Sequence, residues 1–532
     1  MMKRAIAPQL LRFRQVPGNG LAGSIPIRMA RLMILLTAAL LLLGSMPALA
    51  RLRAGTGKCN ITATGCGDVH DSLYVRALVL ENGPLRMAIL TMDVIAIGGI
   101  GDIPDTFLPA VSARLKKESG IGHVMACASH NHLDDFLNEG GKISPDVENL
   151  SVLAVQKALK NLEPVSAGSG QGFENRFAMN RRIPTTDGKV FTIRHANPNM
   201  PDENIQGIGN TDPAIGLLKL ENMDGTVKAV VFNYACHPYT GVPGKNVTAE
   251  YPGLACSFIE EQLGSHAMAF FIQGAAGDVT EILYKDRSHP RDCTVFGQML
   301  AESTMEGLKR VRTDKRNNHL AVICDTVSLP LRTDIPALLD SINQRENRLL
   351  ASLRSTSLNL KSFVPLYIQY NLSPEFPSWS AEQYLFEKKA GIAGLQKMDE
   401  ANRKDLEKYR QNILAMEKLT QIQEDRHQLL LRQADIRRLD GSHVAAAVTA
   451  LRIGDFVLVS FPGEAFSQVG FEVKKNSPYP NTFLAGYANG YLHYAPDAAS
   501  YPREGYEVMN CLLAPQWEEI YMEKIRQLIK KL

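Results

Sequence analysis

An α/β (α+β) fold of mixed sheets, carrying an inserted long helical segment, is the class that three features of the sequence predict. Short apolar runs of buried-strand type recur along the chain, and five of them stop directly before residues able to bind metal or move protons. Helix-favouring stretches alternate with these runs up to about Leu331. A long, charged, helix-favouring block then interrupts the pattern before strand-like sequence returns after Gly441.

The composition suits a large packed protein: of 532 residues, 45% are hydrophobic and 21% charged, with no long polar or proline-rich tract. The formal charge of +3 is nearly balanced, and basic residues do not cluster with aromatic ones, which argues against a nucleic-acid partner.

Part of the positive excess lies at the start of the chain, in Lys3, Arg4, Arg12, Arg14, Arg28 and Arg31, with no acidic residue among them. An apolar run from Met33 to Leu43, broken only by Thr37, follows and ends in Pro47-Ala48-Leu49-Ala50. A basic segment, a short apolar core and an Ala-x-Ala end predict a secretory signal over residues 1–50, cleaved after Ala50. Met29 is an alternative start, and an uncleaved N-terminal anchor is the alternative fate, although the run is short for a membrane span. Export to the periplasm or beyond would permit disulfides. The eight cysteines are too sparse for a disulfide scaffold; Cys59 and Cys66 alone are close enough to suggest a local bridge, while Cys127 and Cys236 fall inside apolar runs and suit small core positions.

Ser72–Leu80 and Leu85–Met92 read as strands around the turn Glu81-Asn82-Gly83-Pro84, a hairpin signal. Pro109–Lys117 and Ser151–Leu162 read as helices. From about Ile335 to Leu439 the texture is helical throughout, and Ala381–Leu439, with two glycines and no proline, predicts one or two long helices. This block (335–440) is either a solvated arm packed on the core, or a lid, a rim of the cleft or a dimer contact. HVAAAVTALRIGDFVLVSF then predicts a hairpin turning at Ile453-Gly454-Asp455, and Pro515–Leu532 is helical. The block is thus an insertion into a single domain spanning 51–532.

The five strand ends carry the chemistry. HVMACAS runs into His130 and His132, AVVFNYAC into His237, and AMAFFI into QGAAGDVT with Asp278 and Thr280. FVLVSF runs into Pro462, Gly463 and Glu464, and TFLAGYA leads to Tyr491, His493 and Tyr494. Ligands in open α/β sheets gather outside the strand ends, so one shared cleft is the economical reading. On a strand, His130 and His132 would face one side. With His237 and Glu464 they form a His/His/carboxylate set suited to hydrolytic zinc. His70, His195, His289 and His427 lack such a setting and read as surface or core histidines. The glycines before Thr280 allow close approach to a bound group but do not match a phosphate loop; the plainer alternative is a turn capping the next helix through Asp278.

Together, ASHNHLDD, FNYACHP, QGAAGDVT, SFPGEAF and AGYANGYLHYAPDAASYPREGYE resemble the catalytic domain of the neutral/alkaline non-lysosomal ceramidases, from about Ala54 to the end of the chain apart from the helical block. The resemblance implies Zn2+ held by His130, His237, Glu464 and Tyr494, with His132 as proton carrier beside Thr280, which stands where the family has Ser. Arg181, in Asn180-Arg181, and Tyr506, in Tyr506-Glu507, would stabilise the oxyanion. It further implies a lipid-amide or other acyl-amide substrate, cleaved to fatty acid and amine, and peripheral contact with membranes. Leu133-Asp134-Asp135-Phe136 departs from the family's Ser-Gly-Pro-Gly-Gly, and no immunoglobulin-like C-terminal domain is expected. Another acyl amide or ester as substrate, or a non-catalytic binding protein on the same scaffold, are the competing readings.

Overall fold

Both residue parities of the central strands are apolar, which an antiparallel sheet with one wet face would not need. In the computed structural model the reason is a four-layer arrangement. The structure describes residues 51–132, 141–193, 202–244, 247–264, 266–281, 292–316, 319–378 and 381–532. The predicted signal segment 1–50, Leu133–Phe136, His195 and His289 lie outside them.

The larger sheet has eight strands, in spatial order Met268–Gln273, Val227–Tyr234, Ala214–Asn222, Glu163–Phe173, Arg53–Asn60, Tyr74–Asn82, Leu85–Met92 and His123–Ala128. Its two outermost pairs are parallel and the pairs between them antiparallel. The smaller sheet orders Leu320–Pro330, His443–Ile453, Phe456–Ser460 and Asn481–Ala485. Both predicted hairpins form, with Gly83 and Gly454 at φ +59° in the turns.

Side-chain alternation divides the core into layers. Val75, Ala77 and Val79 pack under helices Phe107–Ser119 and Val147–Lys160, while Ile215, Leu217, Val230 and Phe232 pack under helices Glu250–Leu263 and Thr294–Leu308. The opposite parity, including Leu78, Leu80, Leu218 and Val231, meets Leu451, Phe456, Leu458 and Phe483 of the smaller sheet. That sheet's outer face, with Val448 and Val459, is covered by helices Ser467–Lys475 and Trp517–Ile529. Each Leu or Phe so buried contributes about 1.5–3 kcal/mol relative to exposure.

The edge strands of the larger sheet, His123–Ala128 and Met268–Gln273, approach one another although they stand at opposite ends of its hydrogen-bonding order. The sheet therefore curls, and segments that follow distant strands meet at one place.

Among its described residues the helical block contains four helices, Ile335–Ser352, Leu360–Leu372, Ala381–Ala390 and Gly394–Arg438. The last, 45 residues free of internal Gly and Pro, is about 67 Å long. Near its end Ile422 and Leu429 pack with Ile335, Ile342 and Met509; further out, Leu406 packs with Phe363 and Tyr370. Among the described residues no helix is long and apolar enough to cross a membrane. Cys59 and Cys66 carry free thiols, so the suggested bridge does not form.

Candidate active site

His130 and His132 do not share a strand face. The strand ends at Ala128, and His130 takes the left-handed conformation, φ +66°, which a non-glycine residue adopts only when its surroundings enforce it. The enforcement is visible: its N–H donates to the Val94 carbonyl (3.1 Å) and its Nδ1 to the Ile95 carbonyl (2.8 Å). The turn, rather than strand alternation, brings the two rings together, with Nε2 of His132 3.2 Å from Nε2 of His130.

His237 is held in the same manner. Its Nδ1 faces the carbonyls of Ala276 (2.7 Å) and Val279 (2.9 Å). A carbonyl only accepts, so Nδ1 carries the proton in both rings and each Nε2 presents a lone pair. These Nε2 atoms lie 3.5 Å (His130) and 3.0 Å (His237) from Oε2 of Glu464. Burial pushes His130 down to about 4, so at neutral pH its ring is uncharged. Electron pairs that face one another without a proton between them are what a cation resolves, and carbonyl-anchored imidazoles are the usual metal-site arrangement. His130, His132 and His237 form a group that could hold a metal ion, their ligand atoms all within 4.8 Å of one another.

Glu464 is fully enclosed. Burial opposes its charge, but the imidazoles of His130 and His237, positive whenever they carry a second proton, together with the Tyr491 hydroxyl outweigh it and hold the carboxyl below its ordinary range. Tyr491 donates to Oε1, and Tyr487 to Oε2 at 3.3 Å. The backbone is set by a short parallel pairing of Glu464 with Tyr494, by the Glu464 N–H on the His493 carbonyl (2.9 Å), and by Gly277, where a Cβ would stand 2.4 Å from the Glu464 carbonyl oxygen.

The Tyr494 hydroxyl accepts from Arg181 Nη2 (2.9 Å), and its ring stacks 6.5 Å from that of His237. The His132 ring also meets the other two imidazoles, its centroid 4.6 Å from that of His130 and 6.1 Å from that of His237. Arg181 also donates to Glu507 (2.8 Å) and to the Gly277 carbonyl (3.0 Å), and Arg182 binds the other Glu507 oxygen (2.7 Å). Tyr506 stands edge-on to Tyr494, with ring centroids 5.7 Å apart. Thr280 is buried in the strand Val279–Glu281, bridged to His237 through the backbone. Asp278 is followed by the strand Val279–Glu281, and its carboxylate accepts from Asn180 Nδ2 (2.7 Å) and from the Ser467 N–H (2.7 Å), at the start of the distant helix Ser467–Lys475.

One cavity of about 380 Å³ is lined by His130, His132, His237, Glu464, Thr280, Arg181, Tyr494 and Tyr506, so all eight predicted site residues converge. Its far wall is the long helix, through His427, Gln428, Leu431 and Arg432. The helical block is therefore a rim of the cleft as well as an arm, and His427, expected to be an ordinary surface or core histidine, faces the cavity. Tyr487 and Gln273 were not singled out as site residues, and Tyr491 was named at a strand end without a role. Tyr487 stands in the same AGYANGYLHY segment, which could have flagged it. Gln273 follows a strand end directly and is fully buried; its amide donates to the Ser129 (3.1 Å) and Cys236 (2.8 Å) carbonyls and accepts from the Cys236 N–H (3.3 Å), tying together the segments that lead to His130 and His237.

No protein-family model matches the chain, and no curated protein matches it in sequence. Solved structures do match it in fold, among them two ceramidases. One is the neutral ceramidase from Pseudomonas aeruginosa, with a TM-score of 0.55 and 16% identity over 90% of this chain and 74% of that one. The other is a ceramidase complexed with C2, with a TM-score of 0.56 and 16% identity over 90% of this chain and 75% of that one. The four-layer, curled-sheet architecture that gathers His130, His237 and Glu464 is thus the fold of the neutral ceramidases.

Proposed function

We propose that the protein is a zinc-dependent hydrolase of linear acyl amides, cleaving the amide bond of ceramide or a related lipid amide to fatty acid and amine. The observation that carries this is the convergence of two carbonyl-anchored imidazole lone pairs and a buried carboxylate at the floor of a cavity. A zinc ion there would supply Lewis-acid activation of a water and of the acyl carbonyl near neutral pH.

The chain's own groups divide the remaining tasks. His130, His237 and Glu464 hold the metal, with Tyr494 or His132 completing the set. His132, half-buried and at the edge of this set, would carry the proton from the attacking water to the leaving amine. Thr280, whose side chain carries a hydroxyl, lines the same cavity. Arg181 and Tyr506 would stabilise the oxygen on which negative charge develops, and Glu507 orients Arg181 for that role.

The basic and apolar sequence before Ala50 supports export of the protein to the periplasm or beyond. The test of function is fatty-acid release from a panel of acyl amides that includes ceramide, lost on chelation and restored by zinc. Failure of the zinc-loaded protein to cleave any amide in that panel would overturn the proposal.

A further inference from the structure

The cleft has a second pole. Arg432, on the inserted helix, lines the cavity yet is only 7% exposed. One terminal nitrogen, Nη1, donates to Asn510 Oδ1 (2.6 Å) and to His493 Nδ1 (2.6 Å), and Nη2 pairs with Asp435 (2.8 Å). Its Nε is buried and has no hydrogen-bond partner among the described residues. An orphaned guanidinium N–H costs about 1–3 kcal/mol, and in a ligand cavity it marks a place where a ligand acceptor belongs. His493, which accepts from Arg432, holds the left-handed conformation at φ +58°, so the network is fixed by the backbone as well.

The wall around this pole is mostly polar and aromatic. Among the described lining residues the aliphatic ones are Ile100 and Leu431; the rest are aromatic rings, amides, a hydroxyl and charged groups. Glu464 is the one acidic side chain in that lining; the two guanidinium groups, Arg181 and Arg432, pair with Glu507 and Asp435 behind it, and a bound divalent cation would make the cavity positive. Tyr491, which donates to Glu464, and His493, which accepts from Arg432, have ring centroids 5.0 Å apart, so a ring-to-ring step separates the two poles.

We propose that the cleft selects an acyl amide bearing an oxyanion, a carboxylate or a phosphate, several bonds from the scissile bond, and that Arg432 receives it through the unpartnered Nε. Placement of the scissile amide at the metal pole rests on the hydrolase reading above; recognition of the anion by Arg432 stands on its own observations. A guanidinium fits this role because its N–H groups lie in one plane and match a pair of oxyanion oxygens. The chemistry is then supplied by strand ends of the common fold, and the selection by the inserted helix.

The probes are an N-octanoyl aminocaproate, the corresponding aminoalkyl phosphate and the methyl ester of the first, each titrated calorimetrically into the zinc-loaded protein and assayed for cleavage. At least about tenfold tighter binding of one or both anions than of the ester is expected, with the tighter of the two naming the oxyanion. In Arg432→Gln that ratio should fall about tenfold, and Arg432→Lys, which keeps the charge but lacks Nε, should recover only part of it. If Arg432→Gln does not fold, the wild-type ratio and the Lys variant still decide. Equal binding of acid and ester by the wild type would overturn the proposal, as would a preference unchanged in Arg432→Lys. Selective binding without cleavage would count against the hydrolase reading and leave the Arg432 site standing.

Discussion

The floor of the cavity and its outer wall are built on different principles. At the floor, His130, His237 and Glu464 are each about 1% exposed, and their outward-facing atoms are engaged by backbone carbonyls or tyrosine hydroxyls. At the wall, one helix presents exposed His427, half-buried Gln428 and deeply buried Arg432 in a gradient from solvent inward. Strand ends in a curled sheet give positional precision and leave little freedom; a helix face gives graded access and can change residue by residue. The difference teaches that binding of a reactive ion and choice of substrate can be assigned to separate parts of the chain.

Changes at the floor should have the largest effects. His237→Ala or Glu464→Gln is expected to weaken metal affinity by more than about a hundredfold and to abolish hydrolysis, checked by metal analysis of the purified variants. Retention of stoichiometric metal by both variants would break the distinction between floor and wall. Removal of the metal should also lower stability: with free metal at about a thousand times its Kd, the loss is about 4 kcal/mol, read from the denaturant midpoint with and without chelator.

Indirect supports of the floor come next. Tyr491→Phe removes the hydroxyl on Glu464 Oε1 and should cost about 10- to 100-fold in metal affinity without unfolding the protein. Gly277→Ala forces the Glu464 backbone to move and should destabilise by about 1–3 kcal/mol, measured by thermal or denaturant unfolding.

A pH experiment on the metal-free protein sharpens the same contrast. Burial lowers His130 from 6.5 to about 4, so between these values the unfolded chain binds a proton that the folded one does not. Its contribution to stability is full above 6.5 and is lost as pH falls through that window, by about 3 kcal/mol in all. A flat stability profile from neutrality down to pH 4 would contradict the buried neutral ring. The smallest effect belongs to the exposed rim: His427→Ala should change KM about two- to fivefold with metal content intact, a split that steady-state kinetics and metal analysis together resolve.

Much of the architecture is legible in the chain because strands covered on both faces are apolar at nearly every position, as in AVVFNYAC and FVLVSF, where Asn233 and Ser460 are the exceptions. Residues directly after those runs, His130, His237 and Glu464, are legible for the same reason. The i, i+2 expectation for His130 and His132 failed because the chain had already left the strand, and nothing local announces a left-handed turn at a histidine. Tyr487 acts through a carboxylate 23 residues away, and Gln273 through backbone atoms 144 residues away, relations that no local pattern carries. Arg432 lies in a helix whose many charges resemble a solvated face; only the fold shows which turn of it points inward.

The glutamine at 273 imitates a peptide group, offering one donor and one acceptor edge where another strand would have offered them. Substitution by glutamate, nearly identical in shape, would set a negative oxygen against two carbonyls at once. A change invisible to any measure of size or packing would therefore push apart the two segments that must stay in register for the ion to be held, and the site would be lost through charge alone.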